Sequence, residues 1–488
     1  MASRARRVKC DEQRPSCQRC VNTGRVCPGY VEAAPTRPGI KIYNIPFRVP
    51  GSRADRELLH FYCCEAAGRL SRFSSTDLWT CLVLQRSQHS PVIRNSLVTL
   101  SCLYRDYIQS GSSQLEASPK HIQLIARSHK QLRNHLLSKD ASPEAALICS
   151  LMFYVFECLV GNAQQAIWHL DRGLALLQWY WTNYPDLMQD SIFIQIASVF
   201  SQLDIHASVF SYERMPILDL TTPDQISGAT TVVPESFTSL THAEETMVIL
   251  QNWVLRHLMQ YVDYKQKPHD KIPKHVKHER INLESEFQHF ESVMEGLASD
   301  ETKSHSQPQQ ERIMLLQTQA LVFHGVLLEN AVFAADAHAI NAYNIYDVAL
   351  NKAATLLELS PHAAKKPIAG REFTLSTNLI AILYFICMKT TDRRILHRSL
   401  SSLQDSLYTA RDGLWDASAA VQMVRAMLPE DALVMSEESE LEIKLEDIGA
   451  GIVDATGGLD EAYKTLQVAQ KAFDDASPEI AIAWDTCT

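Results

Sequence analysis

The sequence predicts an all-α fold, a large multi-helix body behind a small cysteine-rich module at the N terminus. From Arg56 onward apolar residues recur with the helical period and strand-like alternation is scarce. Four of the twelve cysteines fall in the first thirty residues, and that stretch is basic while the whole chain is acidic. The 488 residues are 46% hydrophobic and 21% charged, an ordinary folded composition with ample length for a large core. One big domain plus something smaller, or two to three domains, fits that length. With 17 Gly, 20 Pro and 12 Cys, collagen-like, disulfide-scaffold and fully disordered chains are excluded.

The head comes first. Residues 1–30 carry Arg4, Arg6, Arg7, Lys9, Arg14, Arg19 and Arg25 against Asp11 and Glu12, a net +5 within a total of −10. The remainder therefore holds −15, most of it in residues 429–488, where 15 acidic residues face three lysines. A basic head on an acidic body is the asymmetry that points to nucleic acid, although charge alone fits a solvated tail as well. The basic start has no apolar stretch behind it and so is no secretory signal. The apolar runs Ala145–Gly161 and Asn378–Met388 are too short or too polar for a bilayer span and read as buried helices. An intracellular chain with reduced thiols and no membrane partner is expected.

Cys10, Cys17, Cys20 and Cys27 follow the spacing C-x6-C-x2-C-x6-C. A C-x2-C pair delivers two thiolates to one tetrahedral metal from a single turn, and the flanking Arg and Lys favour the deprotonated ligand. A redox pair at Cys17 and Cys20 is the competing reading, but its βαβ context is absent. The other eight cysteines (Cys63, Cys64, Cys81, Cys102, Cys149, Cys158, Cys387 and Cys487) lie mostly on apolar helix-like stretches and read as small core residues.

The run from Ser3-Arg-Ala-Arg-Arg-Val-Lys-Cys10 through Pro15, Cys17-Gln-Arg-Cys20 and Cys27-Pro-Gly-Tyr30 closely resembles the fungal Zn(2)-Cys(6) binuclear-cluster DNA-binding domain. In that family six cysteines hold two zinc ions, and Cys10, Cys17, Cys20 and Cys27 match the third to sixth. Ser3 stands where the second would be, and the first would precede Met1. The residues present therefore cannot build the binuclear site, while four thiolates are enough in number for one tetrahedral zinc. Either the start lies inside a longer reading frame or the cluster has decayed; the intact remainder of the motif favours the first.

The resemblance implies how the head meets DNA. The family's first short helix enters the major groove, which places Arg6 and Arg7 at base edges with Arg4 and Lys9 beside them on the backbone side. An arginine fork suits the O6/N7 face of guanine, at about 1–3 kcal/mol of discrimination per good pair, in keeping with the family's CGG-like half-sites. Arg14, Arg19 and Arg25 are expected on phosphates.

Residues 28–56, with Pro35, Pro38, Pro46 and Pro50, read as a linker without a following heptad pattern. Helices are predicted over 55–71, 76–87, 91–110, 119–138, 143–160, 163–182, 190–210, 241–263, 280–297, 309–334, 340–358, 373–389, 392–408, 412–427 and 459–474. Ser142-Pro143-Glu144 is a complete start signal, with a cap, a first-position proline and an acid in the first turn. Segments 216–238 and 264–279 read as loops, and Ser299–Gln310 as a polar stretch suited to disorder. Phe61-Tyr-Cys-Cys-Glu-Ala-Ala-Gly, Asp77-Leu-Trp79, His169-Leu-Asp-Arg-Gly, Gln202-Leu-Asp-Ile-His206, Lys389-Thr-Thr-Asp-Arg-Arg394 and Gly413-Leu-Trp415-Asp resemble the helical fungus-specific regulatory domain of secondary-metabolism regulators. Trp79, Trp168, Trp415 and the pair Arg393–Arg394 read as packing and capping residues.

Enzyme signals are weak. Gly449-Ala-Gly451 and Gly457-Gly458 lack the strand that a dinucleotide loop needs. His275 and His278 sit among Lys274, Lys277 and Arg280, which disfavours a cation. His169 with Asp171, and Asp204 with His206, have no nucleophile motif beside them and read as core or surface polar residues. The acidic end mixes acids with apolar residues, as an activation segment or an exposed amphipathic helix does.

The expected organisation is a DNA-binding module at 1–30, a linker at 31–56 and an α-helical regulatory domain at 57–488. It describes a zinc-dependent, nuclear, sequence-specific regulator of RNA polymerase II genes and not an enzyme. Its expected partners are double-stranded DNA, transcription coregulators and a second copy. The alternative is an interaction protein that has lost DNA binding through the missing cysteines.

Overall fold

The computed structural model describes residues 18–24, 50–73, 77–110, 118–139, 141–211, 213–264, 267, 269–299, 306–329, 337–359, 371–375, 377–390, 392–407 and 409–428. The chain divides into two units, Met1–Arg48 and Val49–Thr488. In the first, the described residues form one short helix, α1 (Gln18–Val21). The predicted helix at 459–474, the glycine pairs at 449–458 and the acidic end lie outside the described residues.

In the second unit, α2 (Arg53–Phe61) runs through a π-helical turn at Tyr62–Ala66 into α3 (Ala67–Leu70). A second π-helical turn at Leu78–Leu82 leads into α4 (Val83–His89). Five long helices follow: α5 (Pro91–Gln109), α6 (Pro119–Leu136), α7 (Pro143–Val160), α8 (Ala163–Asn183) and α9 (Ser191–Phe210). After the short α10 (Pro223–Ile226) come α11 (Leu240–Gln260), α12 (Lys274–Ser299), α13 (Gln307–Glu329) and α14 (Ala337–Leu359). The C-terminal part holds β1 (Glu372–Thr374), α15 (Leu379–Lys389), α16 (Arg393–Ser401), β2 (Ala410–Asp412), β3 (Trp415–Asp416) and α17 (Ala417–Met427).

One start signal recurs along the chain. At Ser90-Pro91, Ser118-Pro119, Ser142-Pro143 and Thr222-Pro223 the hydroxyl accepts the third helical N–H while proline fills the first position, where no N–H is needed. Ser52 and Asp55 close a reciprocal capping box that starts α2 at Arg53, two residues ahead of the predicted start. α7 ends at Gly161, whose left-handed φ of 83° a side chain would resist.

Three apolar cores hold this unit. Helices α2 to α9 enclose the first, with Phe373 and Leu414 reaching in from the C-terminal part. α13 to α17 form the second, and α9, α11, α12 and α13 the third. α13 serves two cores, with Leu315, Val322 and Leu328 in one and Leu316, Phe323 and Leu327 in the other. α7 and α9 are long and apolar enough to cross a bilayer, yet 78% and 72% of their apolar windows are buried against other helices. That is the pattern of core helices.

The three strands correct the prediction, which had placed helices over 373–389 and 412–427. β1 lies parallel to β2, Phe373 opposite Arg411, and β2 turns through Gly413 into antiparallel β3. Gly413 takes φ 54°, and a Cβ there would come within 2.8 Å of His206 Nε2. Strands of two or three residues are too short to show a period of two, so the apolar runs beside them read as helix throughout. Two predicted loop stretches also shorten, because α12 begins at Lys274 and α13 at Gln307.

Candidate nucleic-acid interface

α1 is a single turn. Asn22 N–H donates to Gln18 O at 2.8 Å, Gly24 N–H to Val21 O at 3.0 Å, and Gly24 ends the turn at φ 63°. The Thr23 hydroxyl donates to Cys20 O at 3.2 Å. This turn draws Cys20 inward, 2% exposed, and leaves Val21 at 60%. Cys10, Cys17 and Cys27 lie outside the described residues, as do Arg4, Arg6, Arg7 and Lys9. Thiolate donors suit zinc, and the inward Cys20 fits a metal-holding role. Four cysteines fill one tetrahedral set, whereas a six-thiolate cluster needs two more than residues 1–30 contain.

The remaining singled-out residues lie in the second unit. Trp79 is 2% exposed and its carbonyl accepts from the Tyr62 hydroxyl at 2.9 Å, tying α4's π-helical entry to the end of α2. Trp415, 4% exposed, packs edge-on to Phe210 and against Tyr384. Trp168 is half open to solvent beneath the Arg172 guanidinium, 5.3 Å from its ring. Arg394 pairs with Asp392, the residue capping α16. His275 packs edge-on to Tyr261, and His278 Nδ1 meets the Asn282 amide at 3.2 Å, so these two imidazoles serve separate neighbours.

Asp204 and His206 belong to different networks. Asp204 is fully buried and accepts from Leu218 N–H at 2.9 Å and Ile217 N–H at 3.2 Å. Its carboxylate pairs with Arg214 at 2.7 Å, and Arg214 also reaches Asp171 at 2.7 Å. Burial pushes the Asp204 carboxyl above its ordinary range against the pull of Arg214. His206 joins the sheet to α15: Nε2 donates to Asp412 O at 3.0 Å and Nδ1 meets the Asn378 amide at 2.7 Å. Asp412 in turn accepts from Thr377 N–H at 3.0 Å and the Thr377 hydroxyl at 2.7 Å. These groups fasten strand to helix. Asp171 is taken by Arg214, and His169 instead faces His129 and Glu157.

Comparison with known proteins bears on the head. Residues 4–37 match the fungal Zn(2)-Cys(6) binuclear cluster domain. The transcription regulator lscL of Purpureocillium lilacinum is 29% identical over 205 residues, covering 37% of this chain and 48% of that protein. The aspercryptin biosynthesis cluster-specific transcription regulator atnN of Emericella nidulans is 24% identical over 202 residues, covering 36% of this chain and 33% of that protein. The matched part thus spans about half and one third of these curated relatives. No solved structure matches. The N-terminal match and these relatives, both named as transcription regulators, support a transcription factor with a Zn(2)-Cys(6) cluster domain at its N terminus.

Proposed function

We propose that the protein is a zinc-dependent, sequence-specific DNA-binding regulator of transcription by RNA polymerase II, acting in the nucleus on genes of secondary metabolism. The observation that carries the reading is the cluster-domain match over residues 4–37, which contains the C-x6-C-x2-C-x6-C cysteines and the arginine run. The Emericella nidulans relative, a biosynthesis cluster-specific regulator, supports the choice of gene class.

In this reading Cys10, Cys17, Cys20 and Cys27 hold zinc, which supplies a structural cross-link where so short a segment has no core of its own. Arg6 and Arg7 meet guanine edges of CGG-like half-sites in double-stranded DNA, and Arg4 and Lys9 meet the backbone. Residues 1–30 form the reader, 31–56 the linker and 57–488 a regulatory body that offers surfaces to coregulators and to a second copy.

The test is mobility shift and footprinting with a chain that carries Ser3→Cys and a further cysteine three positions before it, at the family spacing. Arg6→Ala and Arg7→Ala should each lose about 1–3 kcal/mol of discrimination between CGG and a scrambled triplet, and the double variant should lose specific binding. An unchanged footprint overturns the roles. A second reading rests on Ser3 in the second cysteine's place: an interaction protein of the regulator class without DNA binding. Mobility shift of the 488-residue chain, together with the zinc it loses on C10S, C17S, C20S and C27S, separates the two, since no shift and no zinc lost with those cysteines supports the second.

A further inference from the structure

Three helices of the regulatory body converge on a buried cluster that the DNA-binding reading does not use. His129 on α6, Glu157 on α7 and His169 on α8 each bring one donor atom to within 4.8 Å of the others. Glu157 is 2% exposed and His169 5%, with His129 half-buried beside them. The approach of the helices makes this convergence. Gly173, one turn beyond His169, sits so close to α7 and α9 that a Cβ would lie 2.5 Å from both Ser150 Oγ and the Phe200 ring. The Ser150 hydroxyl donates to His169 O at 2.6 Å, which fixes α8 in register with α7. Phe153 walls the cluster, with its ring 4.2 Å from that of His129 and 5.4 Å from that of His169.

The chemistry of this cluster is unbalanced as it stands. Glu157 Oε2 is buried without a hydrogen-bond partner. No ion pair joins an arginine or lysine to Glu157 among the described residues; Arg411 donates to the carbonyl of the next residue, Cys158, at 3.1 Å. Glu157 also lies in the last turn of α7, at the negative end of the helix dipole. A buried carboxylate in that place costs several kcal/mol unless a proton or a metal cation answers it. Neutral imidazole is the form that binds metals.

We propose that His129, Glu157 and His169 form a binding site for a divalent transition-metal ion of the zinc class, separate from the cysteine head, that ties α6, α7 and α8 together. Two imidazoles and a carboxylate are a donor set for such an ion, with a fourth position left for water. Tetrahedral bonds of about 2.0–2.1 Å place donors about 3.3 Å apart, so the three side chains need to close by roughly 1 Å or a little more. Rotamer adjustment of a glutamate and two histidines covers that distance without moving a helix. The site neutralises Glu157 and gives its unpartnered oxygen a ligand bond.

Cobalt uptake by the full chain tests this, because Co2+ on thiolates gives an intense near-ultraviolet charge-transfer band that a nitrogen and oxygen site lacks. A chain with C10S, C17S, C20S and C27S removes the head's ligands and should still bind one Co2+, with weak visible bands alone. In that background E157Q, the neutral isostere, should bind Co2+ more weakly by at least the roughly 10–100-fold that losing an outer-shell partner costs. Zn2+ should raise the thermal midpoint of the parent and leave that of E157Q unmoved, with circular dichroism confirming that E157Q is folded. H169Q is the second variant and should behave as E157Q does. Equal Co2+ uptake by parent and both variants overturns the proposal, and so does a parent that binds none.

Discussion

Arg214 shows what one side chain does when it answers a buried charge. It joins Asp204 on α9 to Asp171 on α8 and donates to the Ser208 hydroxyl at 2.6 Å, with its own side chain 10% exposed. Arg214→Met keeps length and apolar bulk but leaves Asp204 buried without a cation, which should cost about 3–5 kcal/mol in urea unfolding. The pH dependence follows from the sign of the shift. The folded-state pKa of Asp204 lies above its unfolded value, so the folded state binds the extra proton and stability falls as pH rises through that window. Removing Arg214 raises the Asp204 carboxyl further, so R214M should recover more stability than the parent as pH is lowered from neutral. A variant within about 0.5 kcal/mol of the parent at neutral pH would show that the pair contributes nothing. The cysteines sort by the same physics. Burial pushes Cys149, Cys158 and Cys387 up to about 12, so a thiol reagent on the native chain at neutral pH should label the exposed Cys64 and spare those three. Labelling of Cys149 before global unfolding would refute the packing described for α7.

Gly173 decides how closely α8 packs, and its substitution probes the element rather than the residue. Gly173→Ala raises helix propensity, worth about 1 kcal/mol, yet drives a methyl into Phe200 and Ser150 at 2.5 Å. Overpacking of a tight core costs about 1–3 kcal/mol, so a net loss is expected from thermal or urea unfolding. A net gain would show that α8 has room to move. The helices themselves were legible because two local signals agree along the chain, the 3.6-residue apolar period and the hydroxyl-proline starts at Ser90, Ser118 and Ser142. The strands were not, since Glu372–Thr374 pairs with Ala410–Asp412 across two intervening helices and carries no alternation of its own. Cys10, Cys17, Cys20 and Cys27 could be proposed as ligands from sequence for a related reason, because a zinc-cluster motif carries its cysteines at short fixed spacing. His129, Glu157 and His169 come from three helices, so their meeting is a property of packing. His169 and Asp171 read from sequence only as core or surface polar residues; two apart on a helix they face apart, and Asp171 goes to Arg214.

Across the whole molecule the charge is segregated, +5 in residues 1–30 and −15 in the rest. That division has a measurable consequence if the head is the DNA reader. Each phosphate neutralised by Arg or Lys releases condensed counterions, and log K falls against log salt with a slope of about −0.9 per contact. Arg14, Arg19 and Arg25 are placed as phosphate contacts, so each change to Ala should shallow that slope by about 0.9 while leaving the ratio of specific to non-specific affinity unchanged. Arg6 and Arg7 should behave the other way, lowering the ratio through lost base contacts. Measuring Kd on CGG-containing and scrambled duplexes at several salt concentrations separates the two groups in one experiment. The −15 on the remaining residues is not a phosphate ligand, and neutralising Glu437, Glu438 and Glu440 outside the head should leave the slope where it was. A slope that responds to those glutamates, and not to Arg14, Arg19 or Arg25, would mean that the electrostatic contact with DNA is made elsewhere than in the cysteine head.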